Sequence, residues 1–584
     1  MMAARLAHKG SYVSIWSPAT DVWLGEIRHW PRDDAELSET AFSGQLYIDW
    51  QKVPDVAAAG PEARDRYQRG LAAGALRKDG LNAVDKLDGH FGIASWDGAK
   101  QQLNLIADRV NYENIYYTAS ADRTVFASEY KALLALPDVE ARVDPATLQR
   151  AIGAFRPDFN GSRLAGIRRV RYGHAACIDG SGARVSRYFT PDCRPRSGNL
   201  ADFATELRNI LVEQARAWLG HHDRIAITLS GGLDSAGLLG ILRHTFPDKK
   251  IASYTIGHGS NDPEIIGARE CAQTFSTEHH EFGFQPASLQ SDLPKIVWLA
   301  EEFAAREEAI LQYQVEGQIL GREPVLMGGH GADMVFLGMP RYRLVNMAER
   351  LPLFRKPLTE IYQQTQSGAP PSSLLGRIGS ALLYRGKAIQ PPVLAGAGGP
   401  TRITDDSRIA DVVSRRLGGF RPYHYHSAIY SLAPLEIAMP FLSNAMMNFA
   451  LTVPNRMKID LRSQKIVLRE ALRPFLPDRV SQRGKAIQRA KRTTELSDVL
   501  DGMAGDLLSK EQVRARGLID PAYVSKIRRR PQNGIYAGDQ LLRLWMLISA
   551  ELWCRTFIDE RGLPDGFSAD DCLASEPPPI AVNE

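Results

Sequence analysis

Ser230-Gly231-Gly232-Leu233-Asp234-Ser235 is the stretch on which the reading of this 584-residue chain turns. It follows a β-branched run with Ile225, Ile227 and Thr228 and precedes the apolar helical run Leu238, Leu239, Ile241 and Leu242. A strand that meets small residues and then a helix puts a helix N-terminus at the turn, where unpaired N–H groups favour an anion. Gly231 and Gly232 lack a Cβ, so the backbone can adopt strained dihedrals and bring its N–H groups close to a phosphate. Ser230 and Ser235 add hydroxyl donors. Asp234 would repel phosphates unless a divalent cation stood between them, and magnesium favours such carboxylate-and-phosphate sites. The chemistry predicts a nucleoside triphosphate with Mg²⁺.

These residues resemble the SGGxDS pyrophosphate loop of the N-type ATP pyrophosphatases, which cleave ATP between its α and β phosphates and adenylylate a substrate. The GxxxxGK[ST] pattern of kinases and GTPases does not occur in the segment, and no loop lysine is present, which favours AMP transfer over γ-phosphoryl transfer. The resemblance implies ATP contacts from Leu229, Ser230, Gly231, Gly232, Leu233, Asp234 and Ser235, and from Ile256 on the following strand.

Length alone calls for two or more domains. A net charge of +4 is too small and diffuse to point to nucleic acid as the principal partner. Five cysteines, Cys177, Cys193, Cys271, Cys554 and Cys572, have no CxxC spacing, which argues against structural zinc or a disulfide framework and for a reducing compartment. No signal-peptide core opens the chain, and no uncharged apolar run reaches ~18 residues. The expectation is a cytoplasmic protein without a membrane partner.

Residues 1–135 read as β-rich, with short runs such as Gln45 to Trp50 and Leu103 to Ala107 between Gly, Asp and Asn turns. Residues 136–200, rich in proline, read as a connecting segment. From 201 to 562 strands alternate with helices and then give way to a helical C-terminal part, which implies a doubly wound parallel sheet with ligands at the carboxyl ends of its strands. A Gly- and Pro-punctuated insertion interrupts this region at about 350–415, and residues 563–584 read as a mobile tail. The fold class is α/β, a β-rich domain in front of a parallel-sheet nucleotide domain.

Within the β-rich part, Leu87-Asp88-Gly89-His90-Phe91-Gly92-Ile93-Ala94 and Phe126 to Leu133 resemble the LDGxFAxA and ASExKAL segments of class II glutamine amidotransferase domains, with Ala107-Asp108-Arg109 where those domains have an Arg-Asp turn. Such a domain precedes the synthetase domain in the asparagine synthetase family. That family's glutaminase nucleophile is a cysteine exposed by removal of the initiator Met. This chain starts Met1-Met2-Ala3 and its first cysteine is Cys177, so no thioester with glutamine is expected.

Further segments are similar to the same family. Met327-Gly328-Gly329-His330-Gly331-Ala332-Asp333 resembles SGEGADE, which implies ATP contacts from Gly328 and Gly329 and a second Mg²⁺ carboxylate, Asp333, beside Asp234. His330 stands where asparagine synthetases have Glu and β-lactam synthetases have Tyr. It is either a proton acceptor near neutral pH or a hydrogen-bonding wall of the pocket. Pro434 to Leu442 resembles xxEARVPFLD, with Ala438 and Ser443 in place of the Arg and the last Asp. The resemblance implies a His330 and Glu436 dyad; a structural ion pair at Glu436 is the alternative. Lys465 to Leu472 resembles the KxxLRxA helix, and Gln482-Arg483-Gly484-Lys485 follows it, so Lys485 matches the lysine that meets pyrophosphate and the charge developing in amide formation.

The resemblance as a whole implies an ATP- and Mg²⁺-dependent amide ligase that forms an acyl adenylate. The missing nucleophile, the altered EARVPF segment and the insertion are most similar to lasso peptide macrolactam synthetases, which join an Asp or Glu side chain of a precursor peptide to its N-terminal amine beside a leader-recognition protein and a leader peptidase. A β-lactam synthetase, an ammonia-dependent asparagine synthetase and an inactive nucleotide-binding scaffold are the alternatives.

Overall fold

The computed structural model describes residues 1–31, 39–120, 122–143, 162–302, 307–367, 373–384, 422–481, 493–536, 538–563 and 572. The N-terminal part holds a hairpin, β1 (Tyr12–Ala19) with β2 (Val22–Arg28). It also holds β3 (Thr40–Leu46), β4 (Gly89–Asp97), β5 (Gln102–Ala107), β9 (His174–Asp179) and β10 (Gly182–Arg187). These five form an antiparallel sheet in the order β10-β9-β5-β4-β3. A smaller sheet joins β6 (Tyr116–Ala119) to β7 (Thr124–Ala127) and β8 (Arg168–Arg169).

The period of two decides which side chain goes where. On β4 and β5, Phe91, Ile93 and Ile106 face a core with Phe42, Leu46 and Leu76. Their neighbours Ala94, Leu103 and Leu105 face a second core with Trp16 and Leu24, so the sheet is covered on both sides. Three strands lie within 168–187, so the stretch read from the sequence as a connecting segment supplies part of these sheets.

Helix α1 (Leu200–Leu219), capped by the Asn199 side chain, leads into the second domain. The strands there are β11 (Arg224–Thr228), β12 (Lys250–Gly257), β13 (Glu278–Gly283), β14 (Val325–Met327) and β15 (Glu436–Ala438). They make one sheet in the order β13-β12-β11-β14-β15, all parallel. Ile225, Ala226 and Ile227 are fully buried, as a central strand covered on both faces requires. Helix α2 (Leu233–Thr245) and helix α3 (Pro263–Thr274) provide crossovers, and α4 (Glu307–Gly317) precedes β14. The chain returns after the insertion to add β15, whose three residues were too short to stand out by periodicity.

Within the insertion the described residues are helical, over Arg355–Ser367 and Leu374–Tyr384; residues 385–421 lie outside the described set. Helix α5 (Pro422–Tyr430) follows. The tail departs from the sequence expectation at one point. Cys572 is buried and its carbonyl accepts a hydrogen bond from the Tyr313 hydroxyl, so the chain is anchored there rather than free.

The two domains are joined through backbone groups. Asn444 donates from its N–H to Asp88 Oδ1 at 2.8 Å and from Nδ2 to the Leu87 carbonyl at 2.9 Å. The Ile437 N–H donates to Gln45 Oε1 at 2.9 Å, and the Met439 N–H to the Tyr47 hydroxyl at 3.2 Å. Leu87 and Asp88 of the amidotransferase-like segment thus hold the helix that starts at Asn444, while Gln45 and Tyr47 hold the segment around β15.

Candidate active site

The loop between β11 and α2 has the expected strand, turn and helix order, with Gly232 at the helix N-cap. Gly231 has φ +62°, and a Cβ there would fall 2.5 Å from the Gly267 carbonyl carbon within α3. Glycine is required on both counts. The Ser230 N–H donates to Ser235 Oγ at 3.1 Å and the two hydroxyls are 3.0 Å apart, which ties the ends of the loop together. Leu229 donates its N–H to the Tyr254 carbonyl at 2.8 Å, which holds the loop root to β12 and sets the height at which the loop leaves the sheet. Ile256 lies buried further along that strand.

The second loop leaves the adjacent strand at the same edge. Gly328 donates its N–H to the Ala438 carbonyl at 3.0 Å, and a Cβ on Gly329 would sit 3.5 Å from Asp234 Cβ, so the two glycine loops lie side by side. Asp333 follows on the short helix Ala332–Val335. Lys465, at the N-cap of α6 (Ile466–Leu472) with φ 56° and ψ 38°, reaches both carboxylates. Its Nζ bonds Asp234 Oδ2 and lies 2.6 Å from Asp333 Oδ1. Burial alone would lower the Lys465 pKa, but the two carboxylates outweigh it and raise it. A left-handed conformation in a non-glycine residue is uncommon, and it clusters where function demands a geometry.

Asp234 and Asp333 therefore converge as the sequence reading requires, and a shared contact with a single atom shows that both can face one cation. The residues fit a magnesium ion held with phosphate oxygens. In the sequence Lys465 is only the start of a helix motif; its contact with both aspartates is visible once α6 is placed against the loops. Lys485 lies outside the described residues.

His330 and Glu436 do not meet as a dyad. Strand β15 runs parallel to β14 with Glu436 opposite Val325 at the amino edge, whereas His330 leaves β14 from the carboxyl edge. Glu436 instead receives Arg64 Nε at 2.6 Å and meets His222 Nε2 at 3.1 Å, with His221 Nε2 standing 3.5 Å away. Burial would raise its pKa, but the hydrogen bonds from His221 and His222 and the Arg64 charge hold it well below the ordinary carboxylate range. This is an ion pair between domains, beside a cavity of about 180 Å³ that Arg64, Trp50, His90 and Glu113 also line. The neighbours of His330 are Glu316 on α4 and His426 on α5. Neither belongs to a segment that sequence motifs single out.

Residues 206–555, more than half of the chain, match the asparagine synthase family. This chain belongs to that family. Residues 70–189 match the glutamine amidotransferase domain. Similar proteins include "asparagine synthetase [glutamine-hydrolyzing] 3" of Bacillus subtilis, 24% identical over 429 residues, covering 69% of this chain and 68% of the relative. "Asparagine synthetase [glutamine-hydrolyzing] 1" of the same organism is 22% identical over 557 residues, covering 90% and 87%. "Amidase chry2" of Gibberella zeae is 23% identical over 513 residues, covering 76% and 75%. Members of the asparagine synthase family are ATP-using carbon–nitrogen ligases that form AMP and diphosphate. No helix among the described residues is long and apolar enough to cross a membrane.

Proposed function

We propose that this chain activates a carboxylate as its acyl adenylate and closes a macrolactam, joining an Asp or Glu side chain of a precursor peptide to that peptide's N-terminal amine. The observation that carries the adenylylation half is the convergence of Asp234, Asp333 and Lys465 at the carboxyl edge of the sheet, beside the glycine loops. Magnesium held by the two aspartates would offset phosphate charge. The Gly231–Gly232 turn and the Ser230 and Ser235 hydroxyls offer donors to phosphate oxygens, and Lys465 supplies a fixed cation where charge gathers. Lys485, in sequence register with the family's pyrophosphate lysine, is assigned the same duty.

The source of the amine is argued separately. The one cysteine within residues 70–189 is Cys177, which is buried on β9 between β10 and β5, so that segment offers no exposed thiol for glutamine hydrolysis. An amine carried by the substrate itself fits that arrangement, and tethering both reacting ends in one molecule can offset several kcal/mol of the barrier. A leader-recognition protein and a leader peptidase would be its partners.

A second reading takes ammonia as the amine and a small amino acid as the acid. The relatives that carry the name asparagine synthetase favour it. Incubation of the full chain with MgATP and a synthetic peptide bearing a free N-terminus and an internal Asp or Glu should yield AMP, diphosphate and a product lighter by one water. Diphosphate release sustained by L-aspartate and ammonium alone, with no product from the peptide, overturns the macrolactam reading in favour of the second.

A further inference from the structure

Glu316, His426 and His330 meet in a buried contact that neither the glycine loops nor the carboxylate pair uses. His426 Nδ1 lies 2.6 Å from Glu316 Oε1, and His330 Nε2 lies 4.0 Å from the same oxygen. The two imidazole centroids are 3.8 Å apart with planes inclined at 46°. Glu316 and His426 are sealed from solvent, while the His330 side chain keeps 15% of its exposure. His426 Nε2 is buried without a hydrogen-bond partner.

The charges around the contact are few. His330 approaches from the loop after β14, His426 and Tyr430 from α5, and Tyr112 of the N-terminal domain acts on Tyr430. Among the described residues no lysine or arginine acts on Glu316. A sealed carboxylate without a cation is costly to ionise, so it keeps a proton. Burial pushes Glu316 up to about 8 and holds His330 and His426 down to about 3. Two donors bound to one tetrahedral metal at about 2.0–2.1 Å stand about 3.3 Å apart. The 2.6 Å separation is shorter than that, and the Tyr430 hydroxyl stands 3.5 Å from the same His426 Nδ1.

We propose that these three side chains share one proton, and that His330 receives the proton released when the amine attacks the acyl adenylate, with Glu316 and His426 as positioning residues. The proposal rests on the adenylating amide-ligase reading. The amine lone pair forms the new C–N bond, the C–O bond to AMP breaks, and AMP leaves with that electron pair. The N–H proton passes to a ring nitrogen of His330, which is free to accept it at neutral pH. The Glu316 proton can then move to His426, leaving a carboxylate beside the His330 imidazolium.

The test uses the full chain labelled with ¹⁵N-histidine, its long-range ¹H–¹⁵N signals assigned with His330→Gln and His426→Gln. Both imidazoles should stay neutral from about pH 9.5 down to about pH 5 and move together with one midpoint near 8, which Glu316→Gln abolishes. Should Glu316→Gln fail to fold, His426→Gln gives the same reading, as the midpoint disappears from His330. Saturation with MgATP, checked by calorimetry, should shift the His330 and His426 signals and leave His222, at the opposite edge of the sheet, in place. A His330 that titrates alone near the ordinary 6.5, or that MgATP leaves unmoved when bound, overturns the proposal. So does stoichiometric Co²⁺ binding with a ligand-field spectrum that Glu316→Gln removes, which would make the trio a metal site. Failure of MgATP to bind at all overturns the underlying ligase reading, and the pH titration still decides the proton sharing.

Discussion

Lys465 bonds Asp234 Oδ2 and stands 2.6 Å from Asp333 Oδ1, so one ammonium ties together the carboxylates of two loops that leave neighbouring strands. The three side chains are largely buried, at 7%, 25% and 22% exposure, so their charges act on one another with little screening. The chain must hold this arrangement before any substrate arrives for the charges to be worth much in the reaction.

Lys465→Met removes the cation and leaves two carboxylates facing each other. The expected outcome is a fall of about 10²–10³ in ATP–diphosphate exchange, the usual loss when one charge-stabilising group is removed. Gly338→Ala should act on the same contact from outside it. A Cβ there would fall 2.0 Å from Asp333 Oδ1 and 2.1 Å from Lys465 Cε, so one of them must shift. Exchange that is undiminished in both variants would remove Lys465 from the site.

Glu436→Gln tests the opposite edge of the sheet. Loss of the charge weakens the 2.6 Å contact with Arg64 and those with His221 and His222. The expected cost is about 1.5–3 kcal/mol of stability, in the range for hydrogen bonds to charged groups. Thermal unfolding should move down while ATP–diphosphate exchange of the folded enzyme stays the same. A selective loss of exchange would restore Glu436 to the catalytic machinery.

The parts of the fold and site that were legible in the sequence are those that depend on local order. Ser230 to Ser235 can be read because a strand, two glycines, a carboxylate and a helix follow one another without interruption. Asp333 can be read for the same reason, three strands later, after β14. The Glu436 pairing could not, because which edge of a sheet a residue occupies depends on where a three-residue strand begins, and β15 gives no periodicity to show it. Glu316 and His426 are hidden for a different reason. Each is one polar residue among several in a helical stretch, with no motif to mark it, and they meet only because α4 and α5 pack together across the insertion.

Gly231→Ala asks how far the anion loop depends on its backbone. Alanine at φ +62° is strained by about 1–2 kcal/mol, and its Cβ would lie 2.5 Å from the Gly267 carbonyl carbon and 2.7 Å from the Ala268 N. Those neighbours are backbone atoms inside helix α3 and cannot rotate away. Titration calorimetry should show MgATP binding weakened at least about tenfold, equivalent to about 1.4 kcal/mol. Unchanged affinity would mean that phosphates bind elsewhere.

The buried Glu316 gives a pH dependence of stability whose sign can be worked out. Its carboxyl is held up to about 8 in the folded chain against an ordinary 4.5. Between these values the folded state keeps a proton that the unfolded state has lost, so stability falls as pH rises through that window. His330 and His426 act in the other direction. They are held down to about 3 against 6.5, so the unfolded chain binds protons that the folded chain does not, and stability falls as pH drops from 6.5 towards 3. Glu316→Gln should remove the alkaline slope and keep the acid one. The difference in melting temperature between Glu316→Gln and the wild type should therefore move steadily in favour of the variant from about pH 5 to about pH 8 and level off above it. A constant difference across that range would show that Glu316 ionises in the fold as it does in water, and that its burial is compensated by a cation.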